Sequence, residues 1–128
     1  IQQTPDDVTT LNNFAYLLAD KLNDPEAALK LAGRAAALSP SNARILDTLG
    51  WIQYKLGKVN QARETLQGSF TAKALAANCY HLGVVSAEMD EYSRARRYLE
   101  QAIDIAKKSD DEDHVLEEAK KLLDSLDT

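Results

Sequence analysis

The chain says nearly the same thing twice: residues 46–57 read L-D-T-L-G-W-I-Q-Y-K-L-G, and 33 residues after the first Leu-Gly a second one, Leu82-Gly83, opens H-L-G-V-V-S-A-E-M-D. A repeat this short limits the fold to one supersecondary unit used several times. Offsets of 33 to 35 residues align Ala15 with Gly50 and Gly83, Ala28 with Ala62 and Ala95, Ala32 with Leu66 and Leu99, and Ala35 with Ser69 and Ala102. Small falls on small and large on large, with Ala32 the compact exception.

Each unit reads as two helices. In the second, Leu46, Leu49, Gly50, Gln53 and Leu56 recur at helical spacing on one face, and Gly57 ends the run as a left-handed C-terminal residue does. A partner helix follows from about Val59, carrying Ala62 and Leu66. In the first unit, T-P-D-D at Thr4 to Asp7 predicts a hydroxyl N-cap, Pro at the first helical position and two acids against the positive helix end. D-P-E at Asp24 to Glu26 repeats that logic, and the connection before it is one residue longer than its counterparts.

Small residues at Ala15, Gly50 and Gly83, facing Ala28, Ala62 and Ala95, let two helix backbones approach closely. A lone hairpin cannot bury its apolar faces, so neighbouring hairpins must stack. The runs L-G-W-I-Q-Y-K-L-G-K-V-N-Q-A and L-G-V-V-S-A-E-M-D-E-Y-S-R-A resemble the tetratricopeptide repeat, and A-L-S-P-S-N at Ala37 to Asn42 resembles its inter-repeat Pro turn. That resemblance implies an all-α, right-handed superhelical solenoid of seven helices and no strand. It would form one domain over residues 1–128, with repeats at about 6–42, 43–75 and 76–109 and a capping helix at about 111–126. More narrowly, N-N-F-A-Y-L-L-A-D with D-P-E-A-A-L-K-L-A and L-D-T-L-G-W resembles the C-terminal repeats of bacterial tetratricopeptide proteins associated with exopolysaccharide export and cell-surface assembly.

The pattern departs from the family where a second Pro turn should follow Pro40 and the chain instead reads G-S-F-T-A-K-A-L-A-A-N-C. Leu75 shares a stripe with Cys79, Leu82 and Ser86, so the third unit's first helix is expected to start near Ala72 with Thr71 as its cap; alternatively, the preceding helix runs on through Phe70. At the far end, acids at 110–113 precede a stripe of Val115, Leu116, Ala119, Leu122, Leu123 and Leu126. Glu117, Glu118, Lys120, Lys121 and Asp124 face away, as in a helix that closes a stack with a polar outer side. Leu17 occupies the place of Ile52 and Val85, which should meet a preceding unit; its face is expected to be left open, the chain being read as the C-terminal end of a longer solenoid.

The residues offer little for catalysis. Cys79 falls on a core stripe and reads as a structural thiol, His81 points elsewhere on the same helix, and His114 lies in the acidic segment. No Gly-rich phosphate loop or Gly-punctuated calcium loop appears, so neither an enzyme nor a cofactor or metal site is expected. The formal charge of −5 argues against nucleic acid, and no apolar run suits direct membrane insertion. A single cysteine leaves the compartment open between cytoplasm and periplasm.

The face opposite the core stripe carries Arg44, Asp47, Trp51, Tyr54 and Lys55 in the second unit. By alignment the first unit adds Thr9, Asn12, Tyr16, Ala19 and Asp20, and the third Ala77, Tyr80, Val84, Ala87 and Glu88. The resemblance implies that these first-helix faces line a concave groove for a protein or peptide segment. Tyr16, Trp51 and Tyr80 fall at equivalent places, which suits partner anchors or packing between neighbouring helices. The basic clamp with which chaperone-binding family members hold a C-terminal carboxylate is missing: its places hold Asn12, Tyr16, Thr48, Ala77 and His81. The expected function is a non-enzymatic protein interaction module. The alternative is a structural spacer or self-association element working through its terminal face.

Overall fold

A computed structural model describes residues 7–109 and 113–127. Among the described residues there are seven helices and no strand: α1 (Val8–Asp20), α2 (Pro25–Leu38), α3 (Ala43–Lys55), α4 (Val59–Ala72), α5 (Ala76–Glu88), α6 (Tyr92–Lys107) and α7 (Asp113–Leu126). The chain divides between Ala72 and Lys73 into two compact units, the first holding α1 to α4 and the second α5 to α7.

Local chemistry sets most of the helix ends. Asp24 accepts the Ala27 amide at 3.2 Å with Pro25 at the first helical position, as the D-P-E sequence predicts. Asn42 receives the Arg44 and Ile45 amides at 3.0 and 3.2 Å, which starts α3 just after the Pro40 turn. Gly57 takes φ +82°, and the Lys58 amide reaches back to the Gln53 carbonyl at 2.9 Å, closing the last turn of α3. Asp90 and Asn23 adopt φ +62° and +52° at the matching turns. Asn23 stands three residues past the end of α1, whereas Gly57 and Asp90 stand two past α3 and α5, which accounts for the extra residue in the first connection.

Two expected helix starts are corrected. Thr4 lies outside the described residues, and α1 starts at Val8, capped by Asp7, whose extended backbone stands outside the helix and whose carboxylate accepts the Thr9 and Thr10 amides at 3.1 and 3.4 Å. Thr71 does not cap α5: it lies inside α4, which runs on through Phe70 to Ala72, and α5 begins at Ala76. Asn78 replaces the missing turn. Fully buried in the first turn of α5, it accepts the Leu75 amide at 2.9 Å and donates its own amide to the Lys73 carbonyl at 2.8 Å.

In the first unit each hairpin closes on its small residues. Ala15, Ala28, Ala32, Ala35, Ala62 and Leu66 are all fully buried. The Ser69 hydroxyl donates to the Ala43 carbonyl at 2.6 Å and pins the end of α4 to the start of α3. A second face of α3 stacks on the preceding hairpin: Ile52 sits among Ala15, Ala19, Ala28 and Ala32, and Ile45 packs with Leu11 and Ala35. The buried surface of α3 therefore includes Ile45, Thr48 and Ile52, while Leu46 and Gln53 of the expected stripe are only half-buried. A helix with hairpin neighbours on two sides buries two stripes, and one 3.6-residue pattern records only one of them.

In the second unit α5 and α6 close on Gly83, Ala95, Leu99 and Ala102, with Cys79, Leu82 and Ser86 also buried. The α7 helix packs on α6 and α5 with Ala119 fully buried and Val115, Leu116, Leu122, Leu123 and Leu126 half-buried. Its Glu117, Lys120, Lys121 and Asp124 are exposed, giving it a polar outer face. Arg96 of α6 pairs with Asp127 and holds the end of α7 down. Among the described residues no helix is long and apolar enough to cross a membrane.

Candidate functional site

The face left over once the hairpins have packed is the one to examine. In the first unit α1 and α3 are neighbours. Asn12, Tyr16 and Asp20 lie four residues apart along α1, so helical geometry stacks them on one side. Arg44, Asp47, Trp51, Tyr54 and Lys55 form the corresponding row of α3.

The α3 row is ordered by its own side chains. The Trp51 and Tyr54 rings stack with centroids 5.1 Å apart and planes 20° apart, and the Lys55 ammonium stands 5.4 Å from the Trp51 ring centroid. Trp51 and Tyr54 are half-buried, so they present part of their rings outward on a preformed platform. Arg44 and Lys55 are exposed, whereas Asp47 is only 7% exposed.

The α1 row is less engaged. Tyr16 is 40% exposed and makes no hydrogen bond or ring contact among the described residues. Its phenol is pushed above the ordinary tyrosine range, first by partial burial and then by the negative charges of Asp20 and Asp47. Asp47 of α3 thus weighs, after burial and Asp20, on the phenol of Tyr16 on α1. The Asn12 Oδ1 atom is shielded from solvent without a hydrogen-bond partner.

Tyr80, Val84 and Glu88 share the corresponding face of α5 in the second unit, the first two half-buried and Glu88 exposed. The Tyr80 ring lies 5.5 Å from His81 at a tilt of 51°. Ala19 does not belong to the open face. It is 1% exposed and part of the core against Ile52, because the stacked hairpin covers the flank of α1 on which it sits. Thr48 and His81, at two of the clamp places, are also buried.

Cys79 is fully buried, as its core stripe predicts, in a setting that suits a structural thiol. Among the described residues no group of three or more His, Cys, Asp or Glu side chains is placed to hold a metal ion. Asn12 and Asp47 were legible only as polar positions on a groove face. Their shielding depends on which neighbour covers each helix flank, and no local signal carries it.

Comparison with known proteins fits this geometry. Two family models described as tetratricopeptide repeat match residues 21–73 and 77–116. The TPR repeat-containing protein PA4667 of Pseudomonas aeruginosa is 37% identical over 67 residues, 52% of this chain; the match spans only 11% of that protein's length. Among solved structures, the type III secretion translocator chaperone SycD of Yersinia enterocolitica superposes with a TM-score of 0.83 at 15% identity, over 95% of this chain and 92% of that one. PcrH in complex with the chaperone-binding region of PopD gives 0.82 at 16% identity, over 94% and 91%. MamA gives 0.69 at 21% identity, over 95% and 77%. At these identities the structural likeness speaks to fold alone, a helical-repeat solenoid. The sequence matches add the family: this chain belongs to the tetratricopeptide-repeat proteins.

Proposed function

We propose that this chain is a non-enzymatic interaction module that holds a segment of a partner protein against the faces of its first helices, within a longer bacterial repeat protein acting as one domain. The observation that carries the reading is the ordered aromatic platform of Trp51 and Tyr54 on α3, together with the exposed Tyr16 on α1, presented by helices rather than loops. Rings of this kind supply much contact area at little entropic cost. PcrH, which shares the fold, is seen in complex with the chaperone-binding regions of PopD and PopB. The resemblance to repeats of exopolysaccharide-export proteins makes a cell-surface assembly the setting in which to seek the partner.

The test is capture of partner proteins from a source lysate by the wild-type chain and by Trp51→Ala and Tyr16→Ala variants. Loss of a specific captured protein with both variants, at unchanged helical content, is the expected result. Capture indifferent to both substitutions would remove this face from the function.

A second reading has its own observation. Leu17 is 43% exposed, Phe14 49% and Leu22 60%, whereas Ile52, the counterpart of Leu17, is fully buried against alanines. An apolar face of this kind suits self-association or a structural role in a larger assembly. Light scattering across a concentration series tests it: a monomer at all concentrations counts against self-association.

A further inference from the structure

Asp7, Thr10, Phe14, Leu17 and Lys21 follow one another along α1 at alternating steps of three and four, the spacing of a seam between two helices, and all five are exposed. The corresponding seam of α3 is Ile45, Leu49, Ile52 and Leu56. There the preceding hairpin covers it: Ile45 and Ile52 are buried, and Leu49 and Leu56 pack against the Ile52 core. The α1 seam is built differently. Its centre, Phe14 and Leu17, is apolar, but Thr10 stands in the place of Ile45 and Lys21 in that of Leu56. A hairpin stacked on α1 as α1 and α2 stack on α3 would close over Lys21 where Leu56 meets the core, and covering a charge without a partner is costly.

We propose that this seam takes the α1 seam of a second copy, antiparallel and centred on Phe14; the proposal rests on the self-association reading above and supplies its geometry. The seam is self-complementary in that direction alone. Phe14 lies midway between Asp7 and Lys21, so reversing the partner helix sets each Lys21 opposite the other copy's Asp7 and closes Phe14 and Leu17 of both copies into one apolar centre. A parallel pair would set acid on acid and base on base. Both charged groups are available. The Lys21 side chain makes no hydrogen bond or ion pair among the described residues. Asp7 accepts the Thr9 and Thr10 amides and the Thr10 hydroxyl, has no cation beside it, and as a carboxylate keeps acceptor capacity. Two exposed ion pairs add little affinity, but they fix the direction of pairing. The α7 helix, whose outer face carries Glu117, Lys120, Lys121 and Asp124, offers no apolar counterpart, so association closes at two copies instead of growing head to tail.

The test is sedimentation equilibrium of the whole chain up to about 1 mM, since an interface made by one helix face is small and weak. The wild type should fit a monomer-dimer equilibrium with no larger species. Phe14→Asp, at an exposed position and with helical content unchanged by circular dichroism, should be monomeric throughout. Lys21→Glu should weaken the dimer roughly fivefold at low salt. Direction is read by oxidising a mixture of Thr10→Cys and Leu17→Cys chains, in which the fully buried Cys79 takes no part. The disulfide between positions 10 and 17 should form in excess over either like pair. Like pairs in excess, indifference to Lys21→Glu, or growth beyond two copies overturns the antiparallel pairing and leaves self-association standing. A wild type that is monomeric at every concentration overturns both, and the seam then belongs to a different chain.

Discussion

Gly50 faces Leu66 so closely that a Cβ on Gly50 would stand 2.6 Å from the Leu66 Cγ and 3.3 Å from the Leu66 backbone nitrogen. Gly83 and Leu99 repeat the arrangement, with a Cβ meeting the Leu99 Cδ2 at 2.6 Å. In the first hairpin both partners change together: Ala15 stands where Gly would, and Ala32 where Leu would. The compact exception in the repeat is thus half of a paired exchange, in which the small residue gains a methyl where its bulky partner is lost.

A double-mutant cycle tests that exchange. Gly50→Ala should cost about 1–3 kcal/mol through overpacking, Gly50→Leu at least as much, and Leu66→Ala about 2–5 kcal/mol through the cavity left behind. Gly50→Ala with Leu66→Ala rebuilds the pair found in the first hairpin. It should be more stable than the two single changes summed, by roughly 0.5–3 kcal/mol of coupling in chemical denaturation. Strict additivity would mean the two residues do not share their space.

Trp51→Ala should leave the fold largely intact. The residue is half-buried and its ring contact with Tyr54 is worth about 0.5–1.5 kcal/mol beyond burial, so its thermal midpoint should fall less than that of Gly50→Leu. As a partner anchor, the same substitution should cost roughly 2 kcal/mol or more of binding energy by calorimetry. A midpoint lowered as far as by Gly50→Leu, with binding unchanged, would assign the ring to packing.

Asn78→Ala should be among the more damaging polar substitutions in the second unit. It strips a partner from the Leu75 amide and from the Lys73 carbonyl, and a buried group left unsatisfied costs about 1–3 kcal/mol. Amide exchange should accelerate first at the start of α5. Asn78→Asp, which keeps the acceptor and loses the donor, should recover part of the loss; equal exchange in all three proteins would show that the cap contributes nothing.

Tyr16 should titrate later than an unperturbed tyrosine, and its contribution to stability follows with a fixed sign. A phenol whose pKa is higher folded than unfolded holds its proton longer in the native state, so the contribution is fully present below about pH 10 and is lost as pH rises through the folded pKa. Asp20→Asn and Asp47→Asn should each move the Tyr16 titration down, read from its ring resonances by NMR. No movement with either would separate the two carboxylates from the phenol.

Recurrent spacing determined the helix pairs, the turn at Gly57, the cap at Asp24 and the buried places of Ala28, Ala62 and Ala95 without reference to any coordinate, because each depends on backbone chemistry or on contacts a few turns away. The long connection at Asn23 was legible for the same reason. What only the tertiary structure decided lies where two elements compete for one residue. Thr71 has a cap's side chain, yet α4 absorbs it, and α5 waits for Asn78 to satisfy the backbone at its start. Ala19 aligns with an open face and is buried, and Asp47 aligns with an exposed charge and is nearly covered. Periodicity states which residues share a side of a helix; which side receives a neighbour follows from how one hairpin stacks on the next, and that is settled by volumes such as those of Gly50 and Leu66 meeting across the chain.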